Sequence, residues 1–391
     1  SSVRWQVSGG GNEVFFLHYL DNAATTLVPE EVVQAMEEAL RRHSGNPSSQ
    51  YPFGQDGKDI VEGGRMVIAK ALGCDKERLF FTSCGTESDV WAIRSAVWHG
   101  RHKGNHIITT AVEHSAVLEA CKWMAQQGYE VTYLTPDGNG HLTAEQVLEA
   151  VRPDTALVSV MMVNNELGNV YPIADIARGL ASRNPKTLLH TDAVQGFLEV
   201  PFTARALGAD FITVSAHKIG GPKGTGALYI GPRVRNPRPL LAGGGQESAL
   251  RSGTEATAQI AGFAKAVELR QEHYEEKLAH MAALKEYCRA KLLDMGGVVP
   301  VGSGTAPHIL AVSLVGYPSG NIVTELGAQG ICISAGSACH QGKASHVVSA
   351  LGLDKKTAAG VIRISFSPDN TNEDVDALCA ALKAHRDSRF P

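Results

Sequence analysis

The sequence predicts an α/β protein: a large domain built on a mainly parallel seven-stranded sheet with helices on both faces, and a smaller α/β domain at the C-terminus. Three observations predict it. Seven short runs rich in apolar and β-branched residues are mostly separated by stretches of helical spacing, and strands apolar throughout are those buried on both faces. From Ile260 to Met295 the chain reads as one long amphipathic helix, with no proline and glycine only near its ends. A length of 391 residues is too great for one simple core and suits two domains. The boundaries expected are an N-terminal arm or leader over 1–18, a large domain over 19–260 and a small domain over 261–391.

Taken in order, the first strand-like run is Leu79 to Thr82. It leads through Ser83-Cys84-Gly85-Thr86 into a helix start, where backbone N–H groups and the Thr86 hydroxyl suit a phosphate. The runs His106 to Thr110, Glu130 to Leu134 and Ala156 to Met162 follow. Thr187 to Thr191 runs into the carboxylate of Asp192. Phe211 to Val214 leads into Ser215-Ala216-His217-Lys218, which sets a lysine where a strand gives way to a loop, and Ala227 to Ile230 completes the set. An Asp at one strand end and a Lys at a nearby one are what pyridoxal 5'-phosphate requires: the lysine holds the aldehyde covalently and the carboxylate keeps the pyridine nitrogen protonated. Alone, such a lysine is ordinarily a surface cation and such an Asp a turn former or helix cap, so the pairing carries the reading. The glycine-rich stretch from Gly220 to Gly226 is no nucleotide loop, because no Lys-Ser or Lys-Thr follows at the required spacing and a strand, not a helix, comes next.

Composition narrows the field further. Lys and Arg total 36 against 40 Asp and Glu, with no basic block long enough to track nucleic acid. No apolar run approaches membrane length. Seven scattered cysteines do not make a disulfide framework, which points to the cytoplasm. Cys74, Cys121, Cys288, Cys332 and Cys379 read as small buried hydrophobes. Cys339 differs, because Gly336, Ser337, Ala338 and Gly342 describe a mobile loop, and His340, Lys343 and His346 favour a thiolate. His99, His102 and His106 read as a solvated loop and not as metal ligands, so no metal site is expected.

The pairing of His190-Thr191-Asp192-Ala193-Val194-Gln195 with Ser215-Ala216-His217-Lys218-Ile219-Gly220-Gly221-Pro222-Lys223-Gly224 resembles the NifS/IscS-like cysteine desulfurases, pyridoxal-phosphate enzymes of the class V aminotransferase group. The similarity runs from about Tyr19 to the C-terminus, with motifs in family order. These are Tyr19 to Thr26, Gly45 to Ser49, Phe80 to Ser88, Glu113 to Val117, Val163 to Gly168, Gly243 to Glu247 with Arg251 to Glu255, Ile333 to Lys343 and Gly360 to Phe366. Gln50 stands where the family usually has histidine and Cys84 where it has glycine, and the segment after Cys339 is slightly shorter than usual.

The resemblance implies the fold type I of pyridoxal-phosphate transferases and a homodimer. It implies that His114 stacks on the cofactor ring and moves protons, and that Gly85, Thr86, Ser215 and His217 take the phosphate, with Thr254 offered to the neighbouring subunit's phosphate. Asn165 and Gln195 would bond the phenolic oxygen, Asp192 the ring nitrogen and Lys218 the aldehyde. Asn22, Asn165 and Arg363 would bind substrate, Arg363 holding the carboxylate in its fork. Cys339 would take sulfur from L-cysteine as a persulfide, releasing L-alanine and passing the sulfur to an acceptor protein or thiol. A selenocysteine lyase has the same constellation. Another carbon–sulfur lyase or an aminotransferase of this fold would not need Cys339, and a silent scaffold of a sulfur-assembly system would be expected to lack Lys218, Asp192 or Cys339.

Overall fold

A computed structural model describes residues 6–8, 14–100, 104–336 and 345–388. Its seven-stranded sheet consists of β1 (Leu79–Thr82), β2 (His106–Thr110), β3 (Glu130–Leu134), β4 (Thr155–Ser159), β5 (Leu188–Asp192), β6 (Phe211–Ser215) and β7 (Gly226–Ile230). Their order is β1-β7-β6-β5-β4-β2-β3, parallel except for β7, which is antiparallel to both neighbours. All residues of these strands are buried except on the edge strand β3, as continuous apolar runs require. Successive side chains alternate between two cores. Phe81, Ile108, Val158, Leu189 and Ile212 enter one, and Phe80, Ile107, Leu157, Leu188 and Phe211 enter the other.

Seven strands were expected and seven form, with ends shifted by a few residues. The predicted run to Met162 stops as a strand at Ser159 but continues alongside β5, where Val160 and Met162 N–H groups donate to the His190 and Asp192 carbonyls. Because β1, β2, β4, β5 and β6 run the same way, Thr82, Thr110, Ser159, Asp192 and Ser215 end on one edge of the sheet. Gly226 at the start of β7 lies opposite both Thr82 and Ser215. In open α/β sheets this edge, outside the carboxyl ends of the strands, is where ligands bind.

Helices cover the sheet: α1 (Glu30–Arg42), α2 (Pro52–Leu72), α3 (Gly85–Gly100), α4 (Ser115–Gln126), α5 (Ala144–Glu149) and α6 (Ile173–Arg183). The single helix expected over Ile260 to Met295 is in fact two, α7 (Thr257–Gln271) and α8 (Tyr274–Asp294), broken at His273 with φ +51°. The break divides two environments. Ile260, Phe263 and Val267 of α7 pack into the large core, whereas Met281, Leu284, Cys288 and Leu292 of α8 belong to a separate one. Arg270, near the end of α7, is buried and paired with Glu199, so tertiary contacts fix the helix where its spacing alone would let it run on.

The second core backs an antiparallel sheet of β8 (Val298–Pro300), β9 (Ile309–Leu314), β10 (Ser334–Ala335) and β11 (Val361–Ser365), in the order β8-β9-β11-β10. Helices α9 (Ser319–Gly327) and α10 (Asn372–Asp387) pack on it. The N-terminal segment joins this unit: His18–Tyr19 pairs with Ile331–Cys332, and Leu20 enters its core. Two further expectations change. Cys121 and Cys288 are buried, but Cys74, Cys332 and Cys379 are only half-buried, the first two because they sit where helix or strand meets loop, and Cys379 on helix α10. His106 is not in a solvated loop. It opens β2, buried, with its ring nitrogens 2.8 Å from the hydroxyls of Thr155 and Thr132, while His102 lies outside the described residues. Among the described residues, no helix is long and apolar enough to cross a membrane.

Candidate active site

The site grows out of the strand ends. The Ala193 N–H, just past β5, donates to the Thr213 carbonyl of β6 at 2.9 Å, so the two chain exits lie side by side. Asp192 is buried, one carboxylate oxygen accepting the Val194 N–H at 2.9 Å. Burial pushes its pKa up to about 7, and the nearby Asp89 adds to the shift. After Ser215 one short turn, Ala216–Lys218, brings round the lysine, whose Nζ donates to the carbonyls of Ala23 and Ala24, both at 2.7 Å. Burial lowers the Lys218 pKa to about 8, and the Arg363 guanidinium lowers it further while Asp192 and Asp21 oppose. His114 caps α4 through Nδ1, which accepts the Ala116 N–H at 3.2 Å. Polar atoms of His114, Asp192 and Asp89 all lie within 4.8 Å of one another.

A second corner suits an anion. Helix α3 begins at Gly85, where a Cβ would come within 2.8 Å of Val194 Cγ2 and 3.8 Å of Ser215 Cβ, so its first turn rests on the exits of β5 and β6. Ser215 Oγ there is buried and has no hydrogen-bond partner among the described residues, while Thr86 in the same turn is exposed. An unpaired buried hydroxyl facing the positive end of a helix fits a bound phosphate. Cys84 precedes Gly85 without entering the left-handed region, which is why a residue other than glycine fits there. His217 Nδ1 lies 3.2 Å from Thr25 Oγ1, and burial, reinforced by Lys218, pushes its pKa down to about 4. Gln195 donates to the Ala23 carbonyl at 2.8 Å, the same oxygen that Lys218 uses.

The second sheet contributes Arg363, which is buried on β11. Its Nη1 donates to the Asn165 carbonyl at 2.8 Å, and its Nη2 to Asp21 Oδ1 at 2.8 Å and Ser334 Oγ at 2.9 Å. The Asn22 amide nitrogen is engaged elsewhere, donating to the Ser365 carbonyl at 3.0 Å and to Asn370 Oδ1 at 3.2 Å. Thr254 is exposed on the loop before α7. Cys339 lies outside the described residues. The segment that carries it leaves from Gly336 and returns at Ser345, whose N–H donates to the Gly336 carbonyl at 3.1 Å. Ser345 Oγ donates to Glu166 at 2.6 Å, and His346 Nε2 is 2.8 Å from the Glu113 carbonyl oxygen, so the returning end is fastened beside Asn165 and His114.

Sequence reasoning assigned no role to Asp21, Asp89, His190 or His308. Asp21 lies within the Tyr19 to Thr26 motif, but its partner Arg363 is 342 positions away, and no local pattern reports such a pair. His190 is fully buried behind Asp192, with Ser159 Oγ 2.8 Å from Nδ1 and Thr213 Oγ1 3.2 Å from Nε2. His308 Nε2 lies 3.4 Å from Gln195 Oε1.

Comparison with known proteins gives consistent relatives. The class-V aminotransferase family matches residues 18–378. A cysteine desulfurase IscS from Methanosarcina thermophila is 40% identical over 364 residues, covering 92% of this chain and 89% of the relative. A solved NifS-like protein superposes with a TM-score of 0.89 at 36% identity, covering 95% of this chain and all of the other. The structure of SspA in complex with cysteine gives a TM-score of 0.79 at 33% identity, covering 90% and 99%. With that similarity spanning most of its length, the chain belongs to the class-V aminotransferase family, among its cysteine desulfurases.

Proposed function

We propose that this pyridoxal-phosphate enzyme takes sulfur from L-cysteine with the residues named above in the following roles. The observation that carries the assignment is the convergence of buried Asp192 and half-buried Lys218 at the ends of adjacent parallel strands, beside the first turn of α3 and an unpaired Ser215 hydroxyl. Asp192 would face the pyridine nitrogen, whose positive charge supplies what a buried carboxylate lacks. Lys218 would hold the aldehyde. Gly85, Thr86, Ser215 and His217 would hold the phosphate, and His114, Asn165 and Gln195 the ring and its phenolic oxygen. When bound, the cofactor supplies an electron sink for the substrate's α-carbon.

The protein's own groups do the rest. Arg363 fixes the substrate carboxylate, with Asn22 and Asn165 completing that side of the cleft. Lys218 Nζ takes the α-proton, helped by a low pKa that leaves a share of the amine neutral near pH 7. The Cys339 thiolate attacks the substrate sulfur: a sulfur–sulfur bond forms, the carbon–sulfur bond breaks with its electron pair left on carbon, and protonation of that carbon with return of a proton to the α-carbon gives alanine. The persulfide on Cys339 then passes to an acceptor protein or thiol.

Two coarser features follow the same reading. A homodimer is supported by exposed apolar residues on α1, α2 and the loop before α7, among them Val33, Leu40, Phe53, Met66 and Leu241, with Thr254 exposed on that loop. A cytoplasmic setting is supported by the free thiols of all six cysteines among the described residues.

The test is to assay alanine and sulfide from L-cysteine for the wild type and for Cys339→Ser. The variant is expected to retain cofactor and to lose product formation, since a serine hydroxyl is a far weaker nucleophile toward sulfur than a thiolate. Alanine release at the wild-type rate, or turnover confined to selenocysteine, would overturn the reading.

A further inference from the structure

Arg363 does not stand open to a ligand, and the resident group that occupies it is itself a carboxylate. Asp21 and Ser334 reach it from the same side. Ser334 lies directly opposite Arg363 in the β10–β11 ladder, and Asp21 forms the next bridge along, to Ser365. The Asp21 Oδ1 atom accepts from Arg363 Nη2 at 2.8 Å and from Ser334 Oγ at 2.8 Å, and Ser334 Oγ in turn accepts from Nη2 at 2.9 Å. This closed triangle fixes one side of the guanidinium, and the Asn165 carbonyl takes Nη1. The remaining nitrogen, Nε, is buried and has no acceptor among the described residues.

A buried, unpaired guanidinium N–H next to a satisfied fork points to an incoming acceptor. A substrate carboxylate would find Nε free, but it would share the guanidinium with a negative charge a few ångströms away. The pair is already near neutral, so the pull on a second anion is much weaker than that of a lone arginine.

We propose that Asp21 is a positioning residue that competes with the amino-acid carboxylate for Arg363, orienting Nε toward it while weakening the site's hold on substrate and on the alanine product. The proposal rests on Arg363 being the carboxylate-binding residue. It predicts that a site without the resident charge binds amino acids more tightly and releases product less readily.

The experiment titrates the holoenzyme with L-alanine, following the visible absorbance of the cofactor, for wild type, Asp21→Asn and Arg363→Ala. Asp21→Asn should bind alanine about tenfold more tightly. Its KM for L-cysteine should fall in parallel, and kcat should not rise. A merely structural Asp21 would give the opposite sign, with looser alanine binding and a raised KM, and that result or an unchanged affinity would overturn the proposal. Asp21→Ser, which also lacks the charge, provides the same reading if the asparagine variant does not retain cofactor. Arg363→Ala separates the two levels. If it weakens alanine binding while neither Asp21 variant tightens it, the competition alone is wrong; if it leaves alanine binding unchanged, the role of Arg363 itself fails and the proposal with it.

Discussion

Burial moves Lys218 and Asp192 toward their neutral forms, and each shift has a measurable consequence. The ordinary lysine value of 10.5 falls to about 8 at Lys218. At pH 7 that leaves about one amine in ten neutral, against about one in three thousand for an unperturbed lysine. The rate at which cofactor-free protein captures pyridoxal phosphate should therefore climb with pH and level off above about 8; a rate still climbing past pH 10 would show an unperturbed amine. Borohydride reduction followed by peptide mapping should place the cofactor on Lys218, and Lys218→Ala should lose the covalent link. Asp192 has the reverse linkage. Its folded pKa of about 7 lies above the ordinary 3.8, so its contribution is most favourable below 3.8, is lost as pH rises from there, and is gone above about 7. Asp192→Asn should thus leave the cofactor-free protein as stable as wild type or more so at pH 8, by thermal melting, yet hold pyridoxal phosphate poorly and lose most activity. A cofactor-free variant clearly less stable at pH 8, or one with near-normal turnover, would count against the assignment.

At the scale of elements, the junction between α7 and α8 is the place where local preference and tertiary structure disagree. His273 adopts φ +51°, a left-handed conformation that costs a residue with a Cβ about 1–2 kcal/mol. Its side chain is 74% exposed and makes only a 3.4 Å contact with Glu276. His273→Gly should raise stability by about 0.5–1 kcal/mol in a denaturant titration, the relief of strain outweighing the greater freedom of the unfolded chain. A destabilised glycine variant would mean that the His273 ring matters more than its backbone. Helix α5 offers the complementary case. Thr143 and Gln146 cap each other reciprocally, and Thr143→Ala should cost about 1 kcal/mol.

Across the whole molecule, the strands were the most legible feature: β1 and β2, buried on both faces, begin and end where their apolar and β-branched runs do, and the edge strand β3 keeps the bounds of its run as well. The antiparallel placement of β7 between β1 and β6 was not legible, since a strand's composition carries no direction. Quaternary structure belongs to this scale as well. If α1, α2 and the loop before α7 form the face between two copies, sedimentation should give a dimer, and Val33→Glu with Leu40→Glu should shift it toward monomer at equal protein concentration. A monomeric wild type, active at nanomolar concentration, would leave that apolar surface without this explanation.

Residues close in the chain settle the individual strands, the positions of Asp192 and Lys218 at strand ends, and the glycine-marked turn into α3. Tertiary structure alone decided that Asp21 and Ser334 close on Arg363, that His190 stands behind Asp192, that Ser215 Oγ is left unpaired, and that the helix breaks at His273. These depend on contacts between segments tens to hundreds of residues apart. Burial then sets the cost of every unmatched charge or hydroxyl, and burial is a property of the folded chain, not of any stretch of it.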